Sequence, residues 1–310
     1  MTNGQKVIDC IHKEMGTGLD ITFLPYQSSM WDSFDSVYKA SLAHDRPHIY
    51  PIGYYSKDDT GAMTRMRIDT NYPFPCEPYE DYKSDVVVIH TPYGSENKIT
   101  EVPHKYWASS LKDYVYTVYI PYFCMGDRVN EAQVMTNAVG YADMVIVETE
   151  RQKAEYLRIL DANRIRIDRN KFKVCGSPKD DMIKSFVPSI PLSWMNKANG
   201  RKVVLLITSL LPFINGGENE IQKILCLFER YKDDPEYCLL WREHPLIEDS
   251  ILAMNPFLYK PYSKMRDLFD GIYDDTDDFH NAFAFSTMCI SEPSSLVRLY
   301  KLTGKEIEVI

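Results

Sequence analysis

Short apolar runs alternate along the chain with longer segments in which apolar residues recur every three to four positions. That alternation predicts β-α units, because parallel strands buried on both faces read as continuous Val/Ile/Leu runs, while helices show their own period. The first half predicts strands at 21–26, 48–54, 86–90, 116–122 and 144–147, and helices at 30–43, 106–114, 131–142 and 150–160. Asp32 supplies the acidic residue that the start of the first of these helices favours. A second series predicts strands at 202–207, 238–241, 271–273, 288–290 and 306–310, with helices at 218–231, 248–253, 264–269, 278–285 and 296–302. Pro191, Asn196, Asn199 and Gly200 give the stretch 188–200 linker character, and Cys175-Gly176-Ser177-Pro178 closes the unit before it. The expected architecture is α/β: two doubly wound, Rossmann-like domains facing a cleft, over residues 1–179 and 180–310. Residues 55–84, with Gly61, Pro73, Pro75, Pro78 and little periodicity, are expected to form a long loop.

Composition narrows the classes. The 310 residues leave room for two cores at about 150 residues per domain. With 45% hydrophobic and 25% charged residues the chain is neither disordered nor fibrous. A net charge of -9, from 35 Lys+Arg against 44 Asp+Glu and without a dense basic run, argues against a nucleic-acid partner. No apolar run approaches the ~20 residues of a bilayer span. The start of the chain lacks the apolar core of a secretory signal, so the expected address is the cytoplasm. Seven scattered cysteines with no C-x-x-C pair are expected to be free thiols rather than a disulfide framework or a zinc site.

Neither a Walker A sequence nor a G-x-G-x-x-G is present. Ligands of open parallel sheets collect beyond the carboxyl ends of the strands, so the polar residues just after each apolar run are the candidates. Arg242 and His244, in Trp241-Arg242-Glu243-His244-Pro245, share a face if the strand persists and can hold a pyrophosphate; the alternative is a locally paired Arg242 and a loop histidine. Ser294 and Ser295 follow the run 288–290 at an expected helix start, where they either favour a phosphate or serve as a simple N-cap. Thr208 and Ser209 end the run 202–207 and are candidates for the nucleotide cleft, together with Asp275 and Thr276. Asp274, Asp275, Asp277 and Asp278 invite a metal by their number, but Asp275 or Thr276 as N-cap and Asp277 and Asp278 in the first turn account for them, and no metal or cofactor is expected. His90, after 86–89, is either a general base for an acceptor hydroxyl or a packing histidine.

The motifs Phe23-Leu24-Pro25-Tyr26, Ser29-Met30-Trp31-Asp32-Ser33, His90-Thr91-Pro92-Tyr93 and Tyr119-Ile120-Pro121-Tyr122-Phe123 recur in order through the first half. Gly176-Ser177-Pro178-Lys179, Trp241-Arg242-Glu243-His244-Pro245-Leu246, Ile272-Tyr273-Asp274-Asp275-Thr276, Ser294-Ser295-Leu296 and Thr303-Gly304-Lys305 follow. Taken together and in this order, over nearly the whole chain, they resemble the CDP-glycerol glycerophosphotransferase-like proteins of wall teichoic acid and capsule synthesis. The resemblance implies a GT-B-like fold with the donor held mainly by the second domain and the acceptor approaching from the first. It implies transfer of glycerol phosphate or a related polyol phosphate from a CDP carrier to a hydroxyl of a polyol-phosphate or glycan acceptor, releasing CMP. If that acceptor is membrane-linked, the protein is expected at the inner membrane face. Arg242, His244, Ser294 and Ser295 would surround the donor phosphates, with His244 and His90 as the catalytic histidines. Glu243 departs from the family's proline and would repel a pyrophosphate unless it turns away or pairs with Arg242. The chain ends at Ile310, where the resemblance leads to the expectation of a further helix. The alternatives are a GT-B glycosyltransferase using a nucleotide sugar and a catalytically silent relative that binds a nucleotide or a partner.

Overall fold

The computed structural model describes residues 1–58, 60–76, 84–124, 129–276 and 278–310; Pro78 of the expected loop and Asp277 of the expected helix start lie outside them. The chain forms two compact units, one of Met1–Ser56 with Arg65–Lys184, the other of Ser185–Ile310 with Lys57–Thr64. Both are built on a parallel sheet, in keeping with the α/β, doubly wound class that the apolar pattern predicts.

From Asp20 to Val174, β1 (Asp20–Leu24), β2 (Arg46–Ile49), β3 (Tyr54–Lys57), β4 (Met63–Arg67), β5 (Val86–Ile89), β6 (Thr100–Glu101), β7 (Tyr116–Tyr119), β8 (Met144–Val147) and β9 (Phe172–Val174) follow in chain order. Six of them form a sheet in the order β2-β1-β5-β7-β8-β9. The run Val86-Val87-Val88-Ile89 shows why no alternation is visible in the sequence. Val86 and Val88 pack with Val7, Ile8 and Ile11 of the helix Asn3–Met15, whereas Val87 and Ile89 pack on the other face with Tyr156 and Ile159 of the helix Glu150–Ala162. Both faces are dry, so both sets are apolar.

The second unit contains β10 (Lys202–Thr208), β11 (Tyr237–Glu243), β12 (Ile272–Tyr273), β13 (Met288–Ser291) and β14 (Glu306–Val309), in the order β12-β11-β10-β13-β14. Val204, Leu206, Leu239, Trp241 and Ile290 meet Phe213, Ile221, Ile224 and Phe228 of the covering helices. From β10 the chain builds outward through β11 and β12, then returns to place β13 on the other side of β10. The strand order therefore reverses between β10 and β13, and in the first unit between β1 and β5. Such reversals open the crevice in which ligands of doubly wound sheets bind.

Several expected elements differ. The stretch 55–84 holds β4 and most of β3 rather than loop alone; the first four residues of β4 are exposed, so it has no buried face to impose a pattern. The helix expected over 30–43 is a 3-10 turn, Ser28–Ser33, followed by the helix Asp35–Ser41. That expected over 131–142 is two helices, Glu131–Val134 and Asn137–Tyr141, because the Thr136 side chain accepts the Val139 N–H and starts a new one. The helix Leu192–Ala198 occupies most of the expected linker.

Candidate functional site

The carboxyl edge of the second sheet carries most of the expected residues. Parallel pairing carries the register past the strands: the His244 N–H donates to the Thr208 carbonyl (3.1 Å), and Ile207 lies opposite Ser291. Thr208, Ser209, His244 and Glu292 thus line adjacent strand ends, with neighbouring strands about 4.8 Å apart.

Arg242 commits its Nη1 to the loop that follows β12, the local pairing that the sequence offered as the alternative. It is buried and donates through Nη1 to Asp274 Oδ2 (2.7 Å), the Asp278 carbonyl (2.9 Å) and the Thr276 carbonyl (3.2 Å). A desolvated guanidinium needs a carboxylate and acceptors, and the 274–278 loop supplies them. This corrects the reading of the acidic run as a helix start. The helix is His280–Phe285, and Asp274 folds the loop by accepting the Thr276 N–H (3.0 Å). Thr276, expected in the nucleotide cleft, has its hydroxyl engaged with the Asp278 carbonyl (2.8 Å), while Asp275 is exposed.

Glu243 points to the opposite face from Arg242, as neighbouring residues of a strand do. It accepts from Tyr262 Oη (2.6 Å) and from Tyr273 Oη. Its charge is therefore turned away from the edge and stabilised by two phenols.

His244 accepts the Leu246 N–H on Nδ1 (3.1 Å), which places its own proton on Nε2. Burial, with the Arg242 cation adding to it, pulls its pKa down to about 4. The ring is a neutral donor at neutral pH.

Thr208 is also redirected: its Oγ1 accepts from Trp241 Nε1 (3.1 Å) inside the core. Ser209 and Ser294 differ from it, because their hydroxyls are buried with no hydrogen-bond partner. Ser294 is the N-cap residue of the helix Ser295–Lys301 but makes no side-chain cap, and Ser295 opens that helix. Beside them lies Glu292, to which the sequence reading gave no role. It is 1% exposed and accepts the Ser209 N–H through Oε2 (2.5 Å). Burial, together with a hydrogen bond to Glu220, pushes its carboxyl up to about 7. A carboxylate just past an apolar strand run is the sequence signal for it.

In the first unit His90 lies at the β1/β5 reversal but is sealed. Its Nε2 accepts the Tyr26 N–H (3.2 Å), its Nδ1 donates to Ser33 Oγ (3.1 Å), and the ring stacks on Phe34 with centroids 4.5 Å apart. It is 0% exposed, and burial, assisted by the Lys179 cation, lowers its pKa to about 3. This corrects the expectation of a general base: both nitrogens are committed, and the ring fixes the loop after β1. Nearby, Lys179 and Asp32 form a buried ion pair (2.9 Å) that the sequence reading did not foresee, although both residues sit in the motifs quoted above.

A depression lined by Lys197, Arg201, Cys238, Asp270 and Gly271 lies at the amino ends of β10–β12, the far edge of the sheet from these residues. Among the described residues, no group of three or more His, Cys, Asp or Glu is placed to hold a metal ion, and no helix is long and apolar enough to cross a membrane.

No protein-family model matches the chain, and no curated protein matches it. Solved structures do. Staphylococcus aureus MnaA with UDP aligns over 94% of this chain and 79% of its own, at 14% identity and a TM-score of 0.58. The Neisseria meningitidis UDP-GlcNAc 2-epimerase bound to UDP-GlcNAc aligns over 94% and 82%, at 13% identity and a TM-score of 0.57. The wall teichoic acid polymerase TagF with CDPG covers 99% and 74%, at 14% identity, but its TM-score of 0.47 is too low for shared topology to be argued from it. At these identities a likeness is one of fold alone; with the two doubly wound sheets, it assigns the chain to the α/β, GT-B-like fold class.

Proposed function

We propose that the chain is a transferase that moves glycerol phosphate, or a related polyol phosphate, from a CDP-activated donor to an acceptor hydroxyl, and that the donor pyrophosphate binds at the β10/β13 reversal. The observation that carries the reading is the pair of buried, unpartnered hydroxyls of Ser209 and Ser294. Buried donors without acceptors are costly, and phosphate oxygens arriving between them would remove that cost. His244, with its Nε2–H and about one strand spacing from Ser209, adds a third donor.

In this reading the acceptor oxygen forms a bond to the polyol-bearing phosphorus and loses its proton to solvent, while the bond to the CMP oxygen breaks and CMP leaves with the negative charge. His244 donates to that oxygen. An approaching phosphate favours the charged imidazole, so the ring that is neutral in the free chain gains proton affinity when the negative charge develops. Arg242 acts through the 274–278 loop as a positioning residue. Glu292, its carboxyl pushed up to about 7 by burial, carries less negative charge beside the phosphates than an ordinary carboxylate would. The motif series from Phe23 to Lys305 favours the CDP-polyol donor.

A second reading, an enzyme acting on a UDP-sugar, is favoured by the UDP and UDP-GlcNAc held by the structures similar in fold. Thermal unfolding with CDP, CDP-glycerol, UDP and UDP-GlcNAc separates the two. A ligand at one hundred times its Kd adds about 2.7 kcal/mol, roughly 5 °C or more in Tm. The first reading expects this with CDP-glycerol and CDP. A shift with UDP-GlcNAc alone supports the second, and no shift with any of the four refutes both.

A further inference from the structure

Two of the free cysteines are held together in the first unit. Cys10, half-buried on the helix Asn3–Met15, has its Sγ 3.8 Å from that of Cys175, which follows β9 and is 1% exposed. Their approach is fixed from both ends. At one end Asn3 Nδ2 donates to the Ser177 carbonyl (2.8 Å), and the Asn3 and Gly4 N–H groups donate to the Asp181 carboxylate (3.1 and 2.9 Å). At the other, Glu14 of the same helix pairs with Lys173 of β9 (2.5 Å). The Cys175 N–H continues the strand ladder to the Val147 carbonyl (3.1 Å), so its backbone belongs to the sheet. We propose that Cys10 and Cys175 are an oxidation site, a dithiol that hydrogen peroxide or a related two-electron oxidant converts to a reversible disulfide.

The microenvironment assigns the roles. The contact between the two thiols, with the Lys173 cation, lowers the Cys10 pKa to about 7 against the opposing burial, Asp9 and Glu14. Cys175 is pushed up by the same contact and by burial, with Lys6 and Lys173 the cations facing it. Cys10, half-buried and the readier thiolate, is the attacking sulfur; Cys175 is the resolving one. The Cys10 thiolate attacks peroxide, its sulfur is oxidised to the sulfenic acid and hydroxide leaves. The Cys175 sulfur then displaces the sulfenic hydroxyl, forming the S–S bond and releasing water, so that two thiols and one peroxide give one disulfide and two waters. Closing the sulfur separation to a disulfide's ~2.05 Å asks for a shift of about 2 Å, within reach of side-chain rotation. The bond would tie the helix Asn3–Met15 to the segment Gly176-Ser177-Pro178-Lys179, which carries the buried partner of Asp32.

The test is peroxide treatment of the full-length chain, followed by non-reducing peptide mapping of every cysteine. The expected result is a fall of two in the thiol count, a mass loss of about 2 Da, a Cys10–Cys175 linked peptide and full reversal by dithiothreitol. Cys10 should be oxidised ahead of the exposed Cys226 near neutral pH, because the contacts with Cys175 and Lys173 favour its thiolate. In Cys175→Ser, dimedone should trap the sulfenic acid on Cys10 with no cross-link. Three results would overturn the proposal: Cys10 carried to the sulfinic acid in the wild-type chain without a link, a link to another cysteine such as Cys124, or oxidation of Cys226 ahead of Cys10. The wild-type mapping decides the matter even if the variant fails to fold.

Discussion

His90 and His244 each accept a backbone N–H on one ring nitrogen, and that bond, together with burial, sets their charge. An unfolded chain protonates such rings near pH ~6.5, whereas the folded chain does so near 3 for His90 and near 4 for His244. Between those values the unfolded state binds more protons. Their contribution to stability is therefore whole above about pH 6.5 and is lost as the pH falls, by up to ~1.4 kcal/mol per pH unit for each ring. Urea unfolding at about pH 7 and about pH 5 should show the loss, and His90→Asn should flatten the dependence; an equal slope in both chains would contradict the assignment. The Arg242 pair gives a second expectation. Asp274→Ala strands a buried guanidinium and should cost roughly 3–5 kcal/mol, while Asp275→Ala, at an exposed position, should stay within about 0.5 kcal/mol. The sequence placed both aspartates in one acidic run and gave no sign that Asp274 is the one that pairs with Arg242. Adjacent acidic residues look alike until the loop turns one of them onto Arg242. Ser294 was legible because a serine after a strand is an ordinary helix start, but the absence of any partner for its hydroxyl is a property of packing alone.

Among the elements, those buried on both faces were readable and the exposed or interrupted ones were not. The runs at β5, β8 and β10 owe their unbroken apolarity to helices on each side, and the sequence located all three. β9 is only three residues long, Phe172–Val174, and β4 is largely exposed, so neither leaves a period to read. Gly176 shows what such reading misses. Its φ is +81°, and a Cβ there would lie 2.5 Å from Asn3 Oδ1, the side chain that ties the N-terminal helix to the 176–179 segment. Gly176→Ala should therefore lower stability by roughly 1–3 kcal/mol, from backbone strain and displacement of Asn3. A calorimetric Tm equal to that of the wild type would show that the segment adapts at no cost.

At the scale of the whole molecule, the reversal of strand order between β10 and β13 gathers the unpartnered Ser209 and Ser294 hydroxyls beside Glu292, with His244 at the end of the next strand. The α/β class and the parallel sheets followed from the alternation of apolar runs and helical periods. The crevice did not, because strand order depends on contacts between segments some eighty residues apart, as in the Ser209–Glu292 bond. In the proposed reading a nucleoside diphosphate binds at this crevice through those two hydroxyls. The most direct measurement is isothermal titration of CDP into the wild-type chain and into the Ser209→Ala, Ser294→Ala double variant, with circular dichroism confirming that both are folded. Hydrogen bonds to a charged phosphate contribute about 1.5–3 kcal/mol each, so the double variant should bind at least tenfold more weakly, a difference of about 1.4 kcal/mol or more. Equal affinity in the two chains, or no binding of CDP by the wild type, would contradict it.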